Sequence, residues 1–255
     1  MLGARCDVQG SAKMRPAVTF ITDANARHAR SRVAIGFFDG VHLGHRAVIE
    51  GCSTVLTFDR HPLAVLAPAA VPELLMSLEE RVAALGAIGV EEVVLIPFDH
   101  TWAGQAAEDF VADAVLGVLK PEAVSVGRNF RFGAHAAGNP ETLRTVGGLP
   151  TVVADLTTVD GAVVSSSRIR SLISHGDVDA AARLMGHPLE HTATRLVDGV
   201  FEVPNGLAMP PAGTYLGVVD GQTGAIVVGP GGRQFRTAVP TTADRVDVGF
   251  LSSVD

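Results

Sequence analysis

The sequence predicts an α/β protein: a doubly wound parallel sheet followed by a small C-terminal β domain. Two observations predict it. Over the first two-thirds of the chain, short Val/Ile/Leu-rich runs alternate with helical patterns, and nearly continuous apolar runs mark parallel strands covered on both faces. From about Glu190 the helical pattern stops, and short β runs recur between Gly/Pro turns, the mark of a small sandwich or barrel. With 255 residues, 47% apolar and 18% charged, the chain can bury such cores.

The elements follow in order. "AVTFIT" from Ala17 and "RVAIGFF" from Arg32 read as strands, as do "STVLTFD" from Ser53, "EEVVLIPF" from Glu91, "EAVSVG" from Glu122 and "LPTVVADL" from Leu149. "SLEERVAALGAIG" is a helix that starts at a good cap, Ser77, and "AAEDFVADAVLGVL" is a helix that stops before Lys120-Pro121. Residues 163–188 read as a helical hairpin, with caps at Ser165 to Ser167 and a turn at Gly176-Asp177. The organisation expected is a disordered leader over 1–16, with Met14 a candidate start, an α/β domain over 17–188 and a β region over 189–255.

Bulk properties narrow the function. A net charge of −7 argues against broad binding to nucleic acid or an anionic membrane. No apolar run is long enough to span a bilayer, and the N-terminus lacks the apolar core of a secretory signal. Cys6 and Cys52 stand outside any metal-binding pattern, as expected for reduced thiols in the cytoplasm.

The chemistry concentrates at the expected carboxyl ends of the strands, where open α/β sheets bind ligands. His42 and His45 stand three apart around Gly44, where a helix begins after the turn at Asp39-Gly40. Unpaired amides and the helix dipole favour an anion there, Gly44 allows close approach, and two imidazoles on one helical face could donate to one phosphate. A metal pair is the rival reading, but no third ligand stands at a recognisable spacing. A helix cap beside a surface histidine is the bland one. Asp39 reads as a turn residue.

In "SSSRIR", Ser165 to Arg170, Arg168 and Arg170 sit in the first turn of a helix. Cations there oppose the dipole unless a polyphosphate binds. In "VGRNFRFG", Val126 to Gly133, Phe130 and Phe132 could wall a planar-ring pocket, and Arg128 and Arg131 could meet a phosphate. The alternative is that the phenylalanines anchor the loop. His61, in "RHP" after a strand, is a fourth candidate at the same edge, or only a turn residue.

"GFFDGVHLGH", "VLTFDRHP", "VGRNFRFG" and "VSSSRIR" together resemble the bacterial bifunctional riboflavin kinase/FAD synthetases, in their FMN adenylyltransferase module, over roughly residues 17–188. The resemblance implies a Rossmann-like HxGH nucleotidyltransferase that joins FMN to ATP, releasing FAD and pyrophosphate. It implies catalytic roles for His42, His45 and Arg170. Gly36, Phe37, Gly44, Ser166, Ser167 and Arg168 would hold ATP. His61, Arg128, Asn129, Phe130, Arg131 and Phe132 would hold the flavin nucleotide. Magnesium would arrive with ATP, with no dedicated protein metal site.

The sequence departs from that pattern in four places. Phe37 puts bulk where the family usually has a small or polar residue. Only "RAVIEGCS" separates the histidines from the next strand, so the first crossover is either compressed or damaged. Ala134, His135, Ala136 and Ala137 stand where the family is usually basic. The β region is about half the expected length and lacks the kinase's Pro-Thr-Ala-Asn signature, so riboflavin kinase activity is expected to be absent. Two alternatives follow: transfer to another acceptor, such as a modified flavin phosphate, or an inactive nucleotide-binding paralogue. The oligomeric state is left open.

Overall fold

The computed structural model describes residues 15–22 and 30–254. Most of the expected leader, with Cys6 and Met14, lies outside the described residues. The first unit runs β1 (Ala17–Phe20), β2 (Arg30–Ile35), α1 (Leu43–Ile49), β3 (Thr54–Phe58), a single turn α2 (Leu63–Leu66), α3 (Leu78–Ala87) and β4 (Glu92–Ile96). It continues through short helices α4 (His100–Gly104) and α5 (Ala107–Asp109), a π-helix over Phe110–Leu119, β5 (Pro121–Gly127), α6 (Pro140–Thr145) and β6 (Thr151–Ala154). The six strands form one parallel sheet in the order β1-β4-β3-β2-β5-β6. Val33, Ala34, Val55, Leu56, Val93 and Val94 are fully buried, because helices cover both faces of the central strands. The sheet grows from β2 in two directions, to β3 on one side and β5 on the other. A crevice therefore opens at the carboxyl ends of β2 and β5.

The compressed crossover is complete. Residues 36–53 carry the chain from β2 to β3, and α1 supplies two turns of it. His42 caps α1, the Glu50 amide closes on the Arg46 carbonyl, and Val48 and Ile49 are buried. Ser125 Oγ, from β5, donates to the Val48 carbonyl at 2.6 Å and fixes the helix over the sheet. Nothing in α1 is damaged. α3 carries a full capping box between Ser77 and Glu80, worth about 1 kcal/mol at the cap. The helix before β5 begins as α5 and widens at Phe110. Its last amide, on Lys120, reaches back five residues to Val115, and Lys120 ends it in the left-handed conformation, φ 48°.

A two-stranded hairpin of β7 (Thr158–Val159) and β8 (Ala162–Val163) follows, which the sequence did not announce. It leads into α7 (Ser166–Ser174) and α8 (Val178–Met185). The last unit comprises β9 (Leu189–Arg195), β10 (Phe201–Glu202), β11 (Gly213–Val219), β12 (Gln222–Val228), β13 (Gln234–Thr237) and β14 (Arg245–Ser253). These close into an antiparallel barrel in the order β10-β13-β12-β11-β14-β9, which removes sheet edges. The helical hairpin shares one core with this barrel: Ile169, Ile173, Val178, Ala181 and Leu184 pack with Phe201, Phe235 and Phe250. Among the described residues, no helix is long and apolar enough to cross a membrane.

Because α7 packs on the barrel while its first turn bonds to the loop after β2, the two units should unfold together. Ile169 is fully buried, and Ile169→Ala should cost about 2–5 kcal/mol. The urea midpoint read by Trp102 fluorescence, on the sheet side, should fall together with the midpoint read by circular dichroism. A Trp102 transition left at its wild-type midpoint would refute the coupling.

Candidate active site

A cavity of about 380 Å³ occupies the crevice. Its walls are residues 35–38 after β2, residues 127–130 after β5, residues 154–157 after β6, and Val163 to Ser167 at the start of α7. His42, Gly44, His45 and Val48 form the remaining wall. Five chain segments thus meet where the topology reverses.

The loop after β2 is held in unusual backbone. Phe38 and Val41 have φ of 59° and 37°, and Gly40 has 84°. A non-glycine residue in this region costs on the order of 1–3 kcal/mol, so the surroundings must hold it there. Asp39 does much of that. It is buried, not a simple turn residue: its carboxylate accepts from the Leu75 amide at 2.8 Å and from Arg170 Nη2 at 3.1 Å. Ser166 Oγ donates to the Asp39 carbonyl at 3.1 Å. Burial raises the Asp39 carboxyl above its ordinary value, outweighing the opposing pull of Arg170. A side chain at Gly40 would strike Leu75, so only glycine fits this close approach.

His42 is not on the helical face that its spacing suggested. It is the N-cap, and its Nδ1 accepts from the His45 amide at 3.2 Å. The proton of a neutral His42 therefore sits on Nε2. This also uses one of the amides expected to be free for an anion. The two rings stack, with centroids 3.5 Å apart and planes 13° apart. Gly44 makes this possible, since a Cβ there would lie 3.2 Å from the His42 ring. Phe38 closes on His45 edge-on at 5.4 Å. Burial lowers His42 to about 4, and burial with the neighbouring His42 takes His45 well below its ordinary value. At neutral pH both are uncharged imidazoles that can donate hydrogen bonds. Among the described residues, no cluster of three or more His, Cys, Asp or Glu could hold a metal.

The other candidates divide. Gly36, Phe37, Ser166, Ser167, Arg128, Asn129 and Phe130 line the cavity. Arg128 already pairs with Asp155. Ser165 caps α7 by accepting from the Arg168 amide. Arg168 and Arg131 are exposed and do not line the cavity. Arg131 donates to the Phe130 carbonyl. Phe132 is a core anchor, stacked on Phe130 and tilted against Phe110. His61 accepts from the Leu63 amide, as a turn residue does, and meets Phe37 edge-on at 4.8 Å. Arg170 points onto Asp39 instead of the cavity.

Sequence reasoning missed Arg81. It is 3% exposed, donates to the carbonyls of Phe37 and Phe58 at the ends of β2 and β3, and lies 4.3 Å from the Phe37 ring centroid. Burial lowers it to about 10, so it stays charged. The signal was present, because Arg81 falls on the apolar stripe of α3 between Leu78 and Leu85. His187 was also missed. Its Nε2 lies 3.0 Å from the Gly40 carbonyl.

The histidine environment sets a pH dependence. His42 titrates near 4 when folded and near 6.5 when unfolded, so the unfolded state binds more protons between those values. Stability must fall as pH drops from 6.5 to 4, by up to about 3 kcal/mol from this group. Asp39, being raised, works in the opposite sense just above 3.8. The stability difference between wild type and His42→Gln isolates the histidine. Urea unfolding at pH 7 and 4.5 should show that difference changing, and a constant difference would contradict the assignment.

Comparison with known proteins places the fold and the cavity in context. Residues 24–168 match the FAD synthetase family. The chain is similar to the bifunctional riboflavin kinase/FMN adenylyltransferase of Escherichia coli K12, with 31% identity over 169 residues, 61% of this chain and 54% of that protein. It is similar to the protein of the same description from Bacillus subtilis strain 168, with 33% identity over 175 residues, 63% and 54% of the two chains. The chain spans about half the length of the curated relatives it matches. A solved structure described as a macrolide-efflux protein from Streptococcus pneumoniae shares the fold, barrel included. Its TM-score is 0.80 at 22% identity, covering 94% of this chain and 100% of that one. The family match covers more than half of the sequence and takes in the histidine turn, the loop after β5 and the first three residues of α7: this chain belongs to the FAD synthetase family.

Proposed function

We propose that the chain is a nucleotidyltransferase that moves AMP from ATP to FMN, giving FAD and pyrophosphate. The observation that carries this reading is the pair of stacked, neutral imidazoles in the wall of a cavity shared with the first turn of α7, in a chain of this family. A phosphate oxygen of FMN attacks the α-phosphorus of ATP. The bond from that phosphorus to the bridging oxygen breaks, and pyrophosphate leaves. Charge builds on the α- and β-phosphates as this happens.

In this reading His42 and His45 are catalytic. Their N–H groups donate to the developing charge without adding a proton that must be managed. Gly36, Phe37, Gly44, Ser166 and Ser167 bound the ATP side, with Arg168 at its exposed end. Arg128, Asn129 and Phe130 bound the flavin nucleotide, with Phe132 behind Phe130, Arg131 outside and His61 bracing Phe37. Arg170 acts through Asp39 as a positioning residue for α7. Magnesium comes with ATP as part of the substrate and screens its phosphates.

The barrel over 189–255 is, in the same reading, a kinase-like module without riboflavin kinase activity. The reading also makes the protein cytoplasmic and without nucleic-acid partners, in keeping with its net charge of −7. One observation favours a second acceptor: Arg128 is already engaged by Asp155, and residues 134–137 offer no arginine or lysine. A modified flavin phosphate is then the alternative.

Incubation with MgATP and either FMN or riboflavin, followed by chromatography, tests this. FAD should form from FMN and nothing from riboflavin. His42→Ala and His45→Ala should each slow FAD formation about 10²–10³-fold, by analogy with the loss of an oxyanion donor. A folded, ATP-binding preparation that makes no FAD overturns the reading. So does a rate that either alanine leaves unchanged.

A further inference from the structure

The connection between α2 and α3 shows an alternation that the site alone does not require. Leu74 faces the barrel: its amide donates to the Gly206 carbonyl at 2.7 Å, and its carbonyl accepts from the Ala208 amide at 2.8 Å. The amide of Leu75, the next residue, donates to the Asp39 carboxylate of the cavity loop at 2.8 Å, while its side chain packs in the core shared by the barrel and α7. The pattern recurs within the first turn of α3. The Glu80 carboxylate reaches the barrel, accepting from the Thr192 amide at 2.8 Å and lying 3.5 Å from His191 Nδ1. Arg81, the next residue, donates to the Phe37 carbonyl in the cavity wall.

The barrel side is closed by His191, which is fully buried. Its Nε2 meets the Ala208 carbonyl at 2.9 Å, on the residue whose amide holds Leu74. Glu80, His191, Ala208 and Leu74 thus clamp one side of the segment. Asp39 and Phe37 are held by its other side. A Glu80 side chain only 16% exposed beside a histidine with no exposure is costly to bury unless the pair is fully bonded. Charge-assisted bonds to a backbone amide are also among the more rigid contacts available.

We propose that the C-terminal barrel is a positioning element of the nucleotide cavity, acting through residues 74–81, with Glu80 and His191 as the positioning residues. Docking of β9 fixes where Leu75 and Arg81 stand. Those two fix Asp39 and the strand end that carries Phe37. The kinetic arm of the test rests on the proposed adenylyltransferase reading, and the exchange arm does not.

The full-length chain is compared with Glu80→Ala, Glu80→Gln and His191→Phe. Phe235→Leu, a barrel-core change remote from the clamp, serves as the control of matched melting temperature. Amide-resolved hydrogen exchange should show faster exchange at Leu75 and across residues 36–42 in Glu80→Ala and His191→Phe than in the control. With MgATP and FMN saturating, kcat in these two should fall about tenfold to a hundredfold, as for misplaced reacting groups, with smaller changes in KM. Glu80→Gln, which keeps an acceptor, should recover part of both. If wild type makes no FAD, the functional reading fails and exchange alone decides. Exchange at Leu75 and residues 36–42 that only tracks the control overturns the proposal, as does an unchanged kcat in Glu80→Ala when wild type is active.

Discussion

The site depends on one buried carboxylate. Asp39 takes the Leu75 amide and Arg170 on its side chain, and Ser166 on its carbonyl. Three segments far apart in sequence therefore meet at one residue. The cost is visible in its chemistry, because burial raises the carboxyl despite the arginine beside it. A buried ion pair of this kind adds little net stability, and removing one partner is expensive. Its effect is geometric. The pair sets the first turn of α7, with Ser166 and Ser167, against the strained turn of Phe38 to Val41.

That turn in turn delivers the histidines. Left-handed backbone at Phe38, Gly40 and Val41 folds the chain back so that His42 caps α1 and His45 stacks beneath it. Desolvation strips both rings of charge. Donors without net charge suit a phosphate that gains charge only as the bond breaks, since they need not be neutralised beforehand. The barrel, the helical hairpin and the sheet contribute to one arrangement because their contacts converge on the same loop.

Much of this was legible in the sequence. Six apolar runs gave the six parallel strands, since burial on both faces leaves a continuous signature in each. Ser77 and Ser165 announced their helices as caps that bond locally to the first turn. Strand order was not legible, because parallel partners are set by crossovers and leave no local mark. Asp39-Gly40 looked like an ordinary turn, as its partners Leu75 and Arg170 lie 36 and 131 residues away. Phe130 and Phe132 could not be told apart by spacing. The two rings, two residues apart on one face, stack on each other, and only Phe130 also reaches the cavity while Phe132 sits behind it in the core. The shared core of α7, α8 and the barrel was hidden because each element's apolar face is equally consistent with packing on the sheet.

The most direct test is a double-mutant cycle on the central pair. Asp39→Asn, Arg170→Gln and the double variant are compared by kcat/KM for FAD formation, with folding checked by circular dichroism. If Asp39 acts by placing Arg170 and α7, the losses are not additive. The double variant should be about as impaired as the worse single one, with a coupling on the order of 1 kcal/mol or more. Additive losses would show that the two side chains act independently, and would contradict the arrangement described.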